Sequence, residues 1–472
     1  MMTVPDEGTF AVRAEPAAAT EATAATDPIP QGPRWLLPAG ALLLAGVLAL
    51  YLADLVSHLG YMTAMRDLVV YRNGGLIVRH VSPAYDAHRG PGSSPLYDWT
   101  GQNGVQFTYP PFAAVVFAVG SVLSWTAMRW TMTLASLAAL GLSLWLVFGT
   151  LGYRERPAVR LGATLGVSAL ALATEPVQQT LGLGQVNLLL MLLVIADLLL
   201  GDFKGRTRWW HGFGIGIAAG VKLTPLIFIP YLLLIRRYRQ AATASAVFAA
   251  TVALGYAILP RDSRIYWADG LFLKANRIVF LGTRGNQSLR GIVTRLAGSV
   301  DSGTIPWIIL AILVVIIGLI TAALLYRAGQ PVPAMLACAL TGLLVSPLSW
   351  DHHWVWVAPG IALLAHLGAS AGRGLIRAAW WAAATGLVLV FAAWPQFWDA
   401  QAGLTPAGLV WYGPATYFAT GDQPWYHEFH WHGLQLLAGN SFVLAGLAGL
   451  AALAVAAVLS QARSAAPGRL DP

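Results

Sequence analysis

The sequence predicts an all-α integral membrane protein, a polytopic bundle of about 11–13 transmembrane helices. Three observations predict it. Of 472 residues, 57% are hydrophobic and only 11% charged, against roughly 25% charged in a soluble domain, and the mean hydropathy is +0.62. Apolar runs of about 20 residues, each long enough to cross ~30 Å of hydrocarbon as a helix, recur along the chain. Lys and Arg collect in short loops between those runs, as cytosolic loops of membrane proteins do. The formal charge of +8 therefore belongs to loops and points to membrane lipids as partners, not to nucleic acid.

Residues 1–33, rich in Ala, Thr, Glu and Pro, read as a disordered cytosolic tail. No basic n-region or A-x-A site precedes the first apolar run, so Trp35–Leu55 is expected to be a retained first span and not a cleaved leader. The transmembrane domain takes in 34–462, and 463–472 form a second cytosolic tail. Further spans are expected near 111–127, 130–150, 158–174, 182–200, 211–222, 224–236, 240–259, 306–326, 332–348, 353–368, 376–394 and 438–461. The basic loops Lys204/Arg206/Arg208, Arg236/Arg237/Arg239 and Arg373/Arg377 read as cytosolic. The polar segments 56–110, 260–305 and 395–437 then fall on the extracytoplasmic face. One loop resists this scheme. "RERPAVR" at 154–160 also looks cytosolic, and strict alternation would put it outside. Either the stretch 111–150 is not two full crossings, or the loop breaks the rule. No internal repeat stands out, which weighs against transporter folds built from duplicated halves. The single cysteine, Cys338, lies inside an apolar run and has no partner for an intramolecular disulfide.

Chemistry in such a chain resides in polar islands that interrupt the apolar runs. "MRDLVVYRNGG" carries Asp67 and Tyr71 four residues apart, on one face of a helix. Asp67 is a candidate general base for a sugar hydroxyl, with Asp86 and Asp98 of the same loop as rivals. The alternative is an interfacial helix with solvated charges. The loop closes with "YPP", Tyr109–Pro111, which fixes the backbone entering the next span. "GLGQVN" sets the amides of Gln185 and Asn187 at the outer end of an apolar helix, to brace a neighbour or to meet sugar hydroxyls.

Lys222 stands three residues before Pro225 between two short apolar halves, where a lysine at mid-bilayer costs roughly 2.5–3.5 kcal/mol. It either snorkels or faces a cavity and an anion such as a phosphate. "TRGNQSLRG" offers Arg284, Asn286, Gln287 and Arg290, with Arg295 beyond. The guanidinium fork suits phosphate oxygens, here of a ligand or of lipid headgroups. "SPLSWDHHWVW" places Asp351, His352 and His353 between tryptophans at a helix start. Adjacent histidines seldom share one ion, and metal-site spacing is absent, so no metal or cofactor is expected. The imidazoles suit a leaving phosphate, with Asp351 fixing a tautomer, capping the helix or meeting a sugar. "WYHEFHWHG" adds His427, Glu428, His430 and His432 as an amphipathic lid or aromatic acceptor surface.

In order, "RDLVVY", "TYPP", "GLGQVN", "VKLTP", "RGNQSLRG" and "SPLSWDHHW" resemble the actinobacterial polyprenol-phosphate-mannose-dependent α-1,2-mannosyltransferases of glycosyltransferase family 87. The resemblance runs from about residue 35 to about 370 and leaves 395–437 and both tails unmatched. It implies a GT-C-type bundle with its active site on extracytoplasmic loops of the plasma membrane. It implies a polyprenyl-phosphate-mannose donor and a glycolipid acceptor such as a phosphatidylinositol mannoside, lipomannan or lipoarabinomannan. Asp67 maps onto the family's base. Lys222, Arg284, Arg290, His352 and His353 would hold the donor phosphate, and Tyr71, Gln185, Asn187, Asn286, Gln287 and Asp351 would bind sugar. Envelope arabinofuranosyltransferases share the architecture and form an alternative, as does a lipid-linked sugar flippase, which would use the same basic cavity without forming a bond.

Overall fold

The chain runs as helices joined at bends, and among the described residues there is no strand, only two isolated bridges, Thr174 with Ala392 and Asn286 with Trp350. The computed structural model describes residues 35–57, 65–82, 85, 90, 93–98, 106–200, 209–274, 281–393, 408–412 and 427–465. The tails, Asp86, the loop Lys204/Arg206/Arg208 and much of 395–437 lie outside them.

Helix α1 (Leu36–Ser57) carries no acidic residue in its first turn and no basic residue in its last. The outer helix α2 (Arg66–Val78) follows, and its small and apolar face, Leu68, Tyr71, Gly74, Gly75 and Ile77, is buried. This face packs on α3 (Pro111–Gly120). A Cβ at Gly75 would lie 2.6 Å from the carbonyl carbon of Phe117, so glycine lets the two backbones touch. Pro111 opens α3 at a position where its missing N–H is not needed. Ser124 then caps α4 (Trp125–Phe148), its hydroxyl accepting from Ala127 N at 3.2 Å.

Helix lengths bear on the loop at 154–160. Helix α3 has 10 residues and rises about 15 Å, half a bilayer core. Helix α4 has 24 and spans it. The stretch 111–150 thus holds one helix of spanning length preceded by a half-length one, not two spanning helices.

Helix α5 (Pro157–Leu172) packs on α1, where Gly162 lies against the backbone of Leu36, 2.8 Å from a Cβ placed there. Next come α6 (Glu175–Leu183) and α7 (Asn187–Leu199), bent by 116° at the intervening residues. Buried Asp197 accepts from the backbone N–H of Gly212 (2.6 Å) and Ile215 (2.9 Å), capping α8 (Phe213–Val221). Lys222 is extended at the end of α8 (φ −150°, ψ 130°), before a 3-10 turn at Thr224–Ile227 and α9 (Phe228–Leu234). The longer helices that follow are α10 (Tyr238–Ile258), α11 (Leu289–Ala297), α12 (Thr304–Arg327), α13 (Pro331–Val345), α14 (Val357–Ser370), α15 (Leu375–Phe391) and α16 (Ser441–Ala465). Helix α12 exposes Ile305, Ile309, Ile312, Ile316 and Ile320, a surface suited to lipid and not to water.

Among the described residues four helices are long and apolar enough to cross a membrane, or five if the bent pair α6–α7 is one span. Six further apolar helices have 10–17 residues. Many of the other expected crossings fall on these shorter or broken apolar segments. The breaks occur where the polar islands sit, because a backbone that leaves the helix frees polar groups, which membrane proteins tolerate only when buried in protein or facing a cavity.

Candidate active site

The site is assembled at those breaks. Met65, in a left-handed conformation (φ 35°), turns the chain into α2 and puts Asp67 in its first turn, where the helix dipole favours a carboxylate. Helix α6 ends at Gly184 (φ 68°), and a Cβ there would stand 2.7 Å from that of Leu68. Only glycine meets both demands. The turn it makes delivers the next residue, Gln185, to α2. Gln185 Nε2 donates to Asp67 Oδ2, while Gln185 Oε1 accepts from Tyr71 Oη at 2.6 Å. Tyr71 Oη also lies 2.8 Å from Tyr109 Oη, and the ring stacks on Phe117, centroids 4.2 Å apart. Gln185 is 2% exposed, so its amide orientation is held on both sides.

On the far side of Tyr109, Lys222 Nζ lies 5.8 Å from that ring. It donates to Asn187 Oδ1 at 2.8 Å and stands 2.8 Å from His353 Nε2. An ammonium has only donors, so with Lys222 charged His353 accepts through Nε2. Asn187 Nδ2 in turn donates to the carbonyl of His352 (2.8 Å), which also accepts from Thr180 Oγ1 (3.1 Å). The break after α6 and the 3-10 turn Asp351–Trp356 are thereby locked together. Asp351 accepts from the backbone N–H of His352 at 2.8 Å, and its Oδ1 lies 3.1 Å from His352 Nδ1. Asp351, His352 and Lys222 are all buried.

Burial holds the Asp67 carboxyl above the ordinary carboxylate range, against the opposing pull of His352, the Gln185 hydrogen bond and Lys222. The acid and the cations thus share one electrostatic environment. A cavity of about 700 Å³ adjoins it, bordered by Tyr109, Lys222, His353, Trp350, Trp307 and Arg290, among others.

The other polar islands are placed differently. Arg284 donates to the carbonyl of Trp411 (2.9 Å) and lies over that ring. Asn286 braces the carbonyls of Leu281 and Pro347, and Gln287 those of Arg284 and Gly439. Arg290 borders the cavity but donates to Thr304 Oγ1 at 2.6 Å and stacks over Trp307. Arg295 binds Asn440 and three carbonyls of the same loop. These residues knit the second outer segment to the third. Asp98 accepts from Ser94 N in its own loop, while Asp262 secures that loop through Ser94 and Leu96. His427, Glu428 and His430 form a 3-10 turn, and among the described residues no three His, Cys, Asp or Glu side chains are grouped to hold a metal ion.

Sequence reasoning did not single out Tyr109 as a side chain, nor Thr180 or Glu175. Glu175 is fully buried and accepts from Gly408 N (2.9 Å) and Trp411 Nε1. A lone acid at the end of an apolar run, in "ATEPV", was the available signal.

An all-helical membrane bundle in which amides join a carboxylate to a buried lysine suits a membrane glycosyltransferase. The chain belongs to glycosyltransferase family 87, whose profile matches residues 107–347. It is similar to a polyprenol-phosphate-mannose-dependent alpha-(1-2)-phosphatidylinositol pentamannoside mannosyltransferase of Mycolicibacterium smegmatis, 34% identical over 366 residues, covering 75% of this chain and 82% of the relative. It is also 34% identical to a polyprenol-phosphate-mannose-dependent alpha-(1-2)-phosphatidylinositol mannoside mannosyltransferase of Mycobacterium tuberculosis, over 69% of this chain and 75% of that one. No solved structure matches the chain.

Proposed function

We propose that the protein transfers mannose from a polyprenyl-phosphate-mannose donor to a phosphatidylinositol mannoside or lipomannan acceptor, with inversion, forming an α-1,2 linkage on the extracytoplasmic face of the plasma membrane. The observation that carries this is the continuous contact from Asp67 through Gln185 and Tyr109 to Lys222 and His353. This contact supports a reading in which a proton acceptor and a phosphate-binding cation serve one site. The printed activities of the two relatives support the donor and the acceptor class. The outer-face assignment is supported by the basic groups Arg236/Arg237/Arg239 and Arg373/Arg377, which mark the cytosolic side.

Asp67 takes the proton of the acceptor 2-hydroxyl. The oxygen attacks the anomeric carbon of β-mannosyl phosphate, the new C–O bond forms on the α face, and the bond to phosphate breaks with its electron pair leaving on the lipid phosphate. Lys222, with His353 and His352, offsets the charge gathering on that phosphate, which pre-placed donors in a shielded site do well. Gln185 and Asn187 hold the base and the lysine in position and border the sugar.

Purified protein in detergent, with no second compartment or gradient, is expected to convert lipid-phosphate mannose and a mannoside acceptor to an α-1,2 product. A flippase forms none. Product of β configuration at the anomeric carbon overturns the inverting mechanism.

Gln185→Leu gives a second check. Asp67 acts only when ionised, and its pKa is already raised, so activity is lost as pH falls through a range above the usual carboxylate value. Removing the Gln185 hydrogen bond, which favours the ion, raises it further. The acid limb of the kcat/KM profile therefore moves to higher pH in Gln185→Leu, while an unmoved limb removes Asp67 from the role of titrating base.

A further inference from the structure

The cavity beside Lys222 has two borders of different chemistry. Tyr109, Lys222 and His353 stand on one; Arg290, Asp301 and Trp307 stand on another, supplied by α11, the turn after it and the first turn of α12. Arg290 is 6% exposed. Its Nη2 donates to Thr304 Oγ1 at 2.6 Å and to the Val300 carbonyl at 3.2 Å, and its guanidinium carbon lies 4.9 Å from the centroid of the Trp307 ring. These contacts hold the stacked pair in place and leave two donors over. Arg290 Nη1 and Trp307 Nε1 are buried without a hydrogen-bond partner, which costs free energy until an acceptor answers them. Asp301 is exposed at the same border, and among the described residues its carboxylate takes part in no hydrogen bond or ion pair.

We propose that Arg290, Asp301 and Trp307 form a saccharide subsite for the mannose unit next to the reacting one, so that the protein takes a di- or oligomannoside acceptor ahead of a single mannose. This rests on the proposed transfer reaction. The mixed chemistry of the border argues for sugar over phosphate. An ionised phosphate accepts hydrogen bonds and wants donors alone, as Lys222 supplies them. A carboxylate on the same border repels it. A sugar hydroxyl both donates and accepts, so one unit can donate to Asp301 and accept from Arg290 Nη1 or Trp307 Nε1. The indole adds an apolar surface with a polar handle, which matches a ring that is apolar on one face and hydroxylated at its edge. By residue type Arg290 groups with the ligands of the donor phosphate; the carboxylate on its border sets it apart. Size agrees as well. The cavity of about 700 Å³ lies within the ~300–1,000 Å³ of pockets that enclose ligands larger than one sugar ring.

Full-length protein in detergent, supplied with one lipid-phosphate mannose donor, tests this with octyl α-mannoside against octyl α-dimannosides, 1,2- and 1,6-linked. Wild type is expected to show a kcat/KM at least about 10-fold higher for one of the dimannosides, the scale of one hydrogen bond to a charged group. Arg290→Gln and Asp301→Asn are each expected to lower that ratio by about 10-fold, through the dimannoside KM and with the donor KM unmoved. Trp307→Phe keeps a ring and removes the N–H, and is expected to lower the ratio by a smaller factor. A merely structural role slows both acceptors alike and leaves the ratio where it was. Asp301→Asn covers the case in which Arg290→Gln fails to fold, because the Asp301 side chain braces nothing else among the described residues. Saturation-transfer NMR of the dimannoside on the protein without donor reads binding alone, and its signal is expected to weaken in Arg290→Gln and Asp301→Asn.

Equal kcat/KM for mono- and dimannosides in wild type overturns the subsite, and so does a preference that survives both Arg290→Gln and Asp301→Asn. A raised donor KM in Arg290→Gln with the acceptor ratio intact also overturns it and gives Arg290 to the donor phosphate. The binding arm does not depend on the reaction. If no acceptor yields product but the dimannoside signal is present and is lost in Arg290→Gln and Asp301→Asn, the transfer reading fails and the saccharide subsite stands. If mono- and dimannosides are converted equally well, transfer stands and the subsite falls.

Discussion

Asp67→Asn lowers the transfer rate by about 10²- to 10⁴-fold, the range for loss of a positioned general base, and leaves the protein folded. The replacement is isosteric. Its amide oxygen accepts from Gln185 Nε2 as the carboxylate does, so Gln185 keeps its bonds to Tyr71 and Tyr109. What is lost is proton affinity. The acceptor hydroxyl is then a poor nucleophile, and attack waits for the phosphate bond to break unaided. Donor binding is unaffected, because Lys222 and His353 are untouched. Transfer assayed in membranes supplied with lipid-phosphate mannose measures the effect, and turnover at the wild-type rate removes Asp67 from the mechanism.

The same variant carries a stability signature of opposite sign. The folded state holds Asp67 protonated to higher pH than the unfolded chain does. In that window the folded state binds more protons, so stability falls as pH rises through it. The ionised acid is therefore a burden on the fold at neutral pH, and Asp67→Asn lifts it. Thermal unfolding at neutral pH is expected at the same temperature as wild type or above it. Retention of an unfavourable charge where a neutral amide fits is what a functional site does and a packing site does not.

Much of this site was legible in the sequence for one reason. A polar group inside an apolar run is expensive, so Gln185, Asn187, Lys222 and the pair His352–His353 stand out against their surroundings, and the i,i+4 spacing places Asp67 beside Tyr71. What could not be read is which distant backbone each side chain meets. Arg284, Asn286, Gln287 and Arg295 look alike in the sequence as ligand groups, yet each is bound to carbonyls of Trp411, Pro347, Gly439 or Thr283. Those carbonyls are exposed by helix breaks more than 50 residues away in three of the four cases. Helix lengths fail for a related reason. Hydropathy counts apolar residues but does not register a bend of 116° between α6 and α7, which depends on Gly184 meeting Leu68. Glu175 escaped notice because its partners, the Gly408 backbone N–H and the Trp411 indole, lie 233 and 236 positions away, and only the fold brings them together.

Lys222→Met is expected to lower kcat by about 10²- to 10³-fold, the scale for removing one preorganised charge stabiliser, with a smaller change in donor KM. The asymmetry follows from the charge on the donor. A mannosyl phosphodiester carries one negative charge, and the lipid monoester it becomes carries about −1.5 to −2. The extra charge develops only as the bond to the sugar breaks. Lys222 therefore interacts more strongly with the transition state than with the bound donor, and such an interaction is read in kcat. Methionine fills much of the space of the lysine stem but leaves Asn187 Oδ1 and His353 Nε2 without the donor they face at 2.8 Å. Each unsatisfied group costs about 1–3 kcal/mol, partly offset because a buried cation no longer needs to be accommodated, so a lowered melting temperature accompanies the kinetic loss. A donor whose leaving group needs less help separates the two effects. With β-mannosyl fluoride, whose departed anion carries one charge in total where the lipid phosphate carries about −1.5 to −2, the gap between Lys222→Met and wild type is expected to narrow, whereas a variant slowed by misfolding stays slow with either donor. An increase in KM alone, with kcat unchanged, would limit Lys222 to holding the donor and leave the leaving phosphate to the histidines.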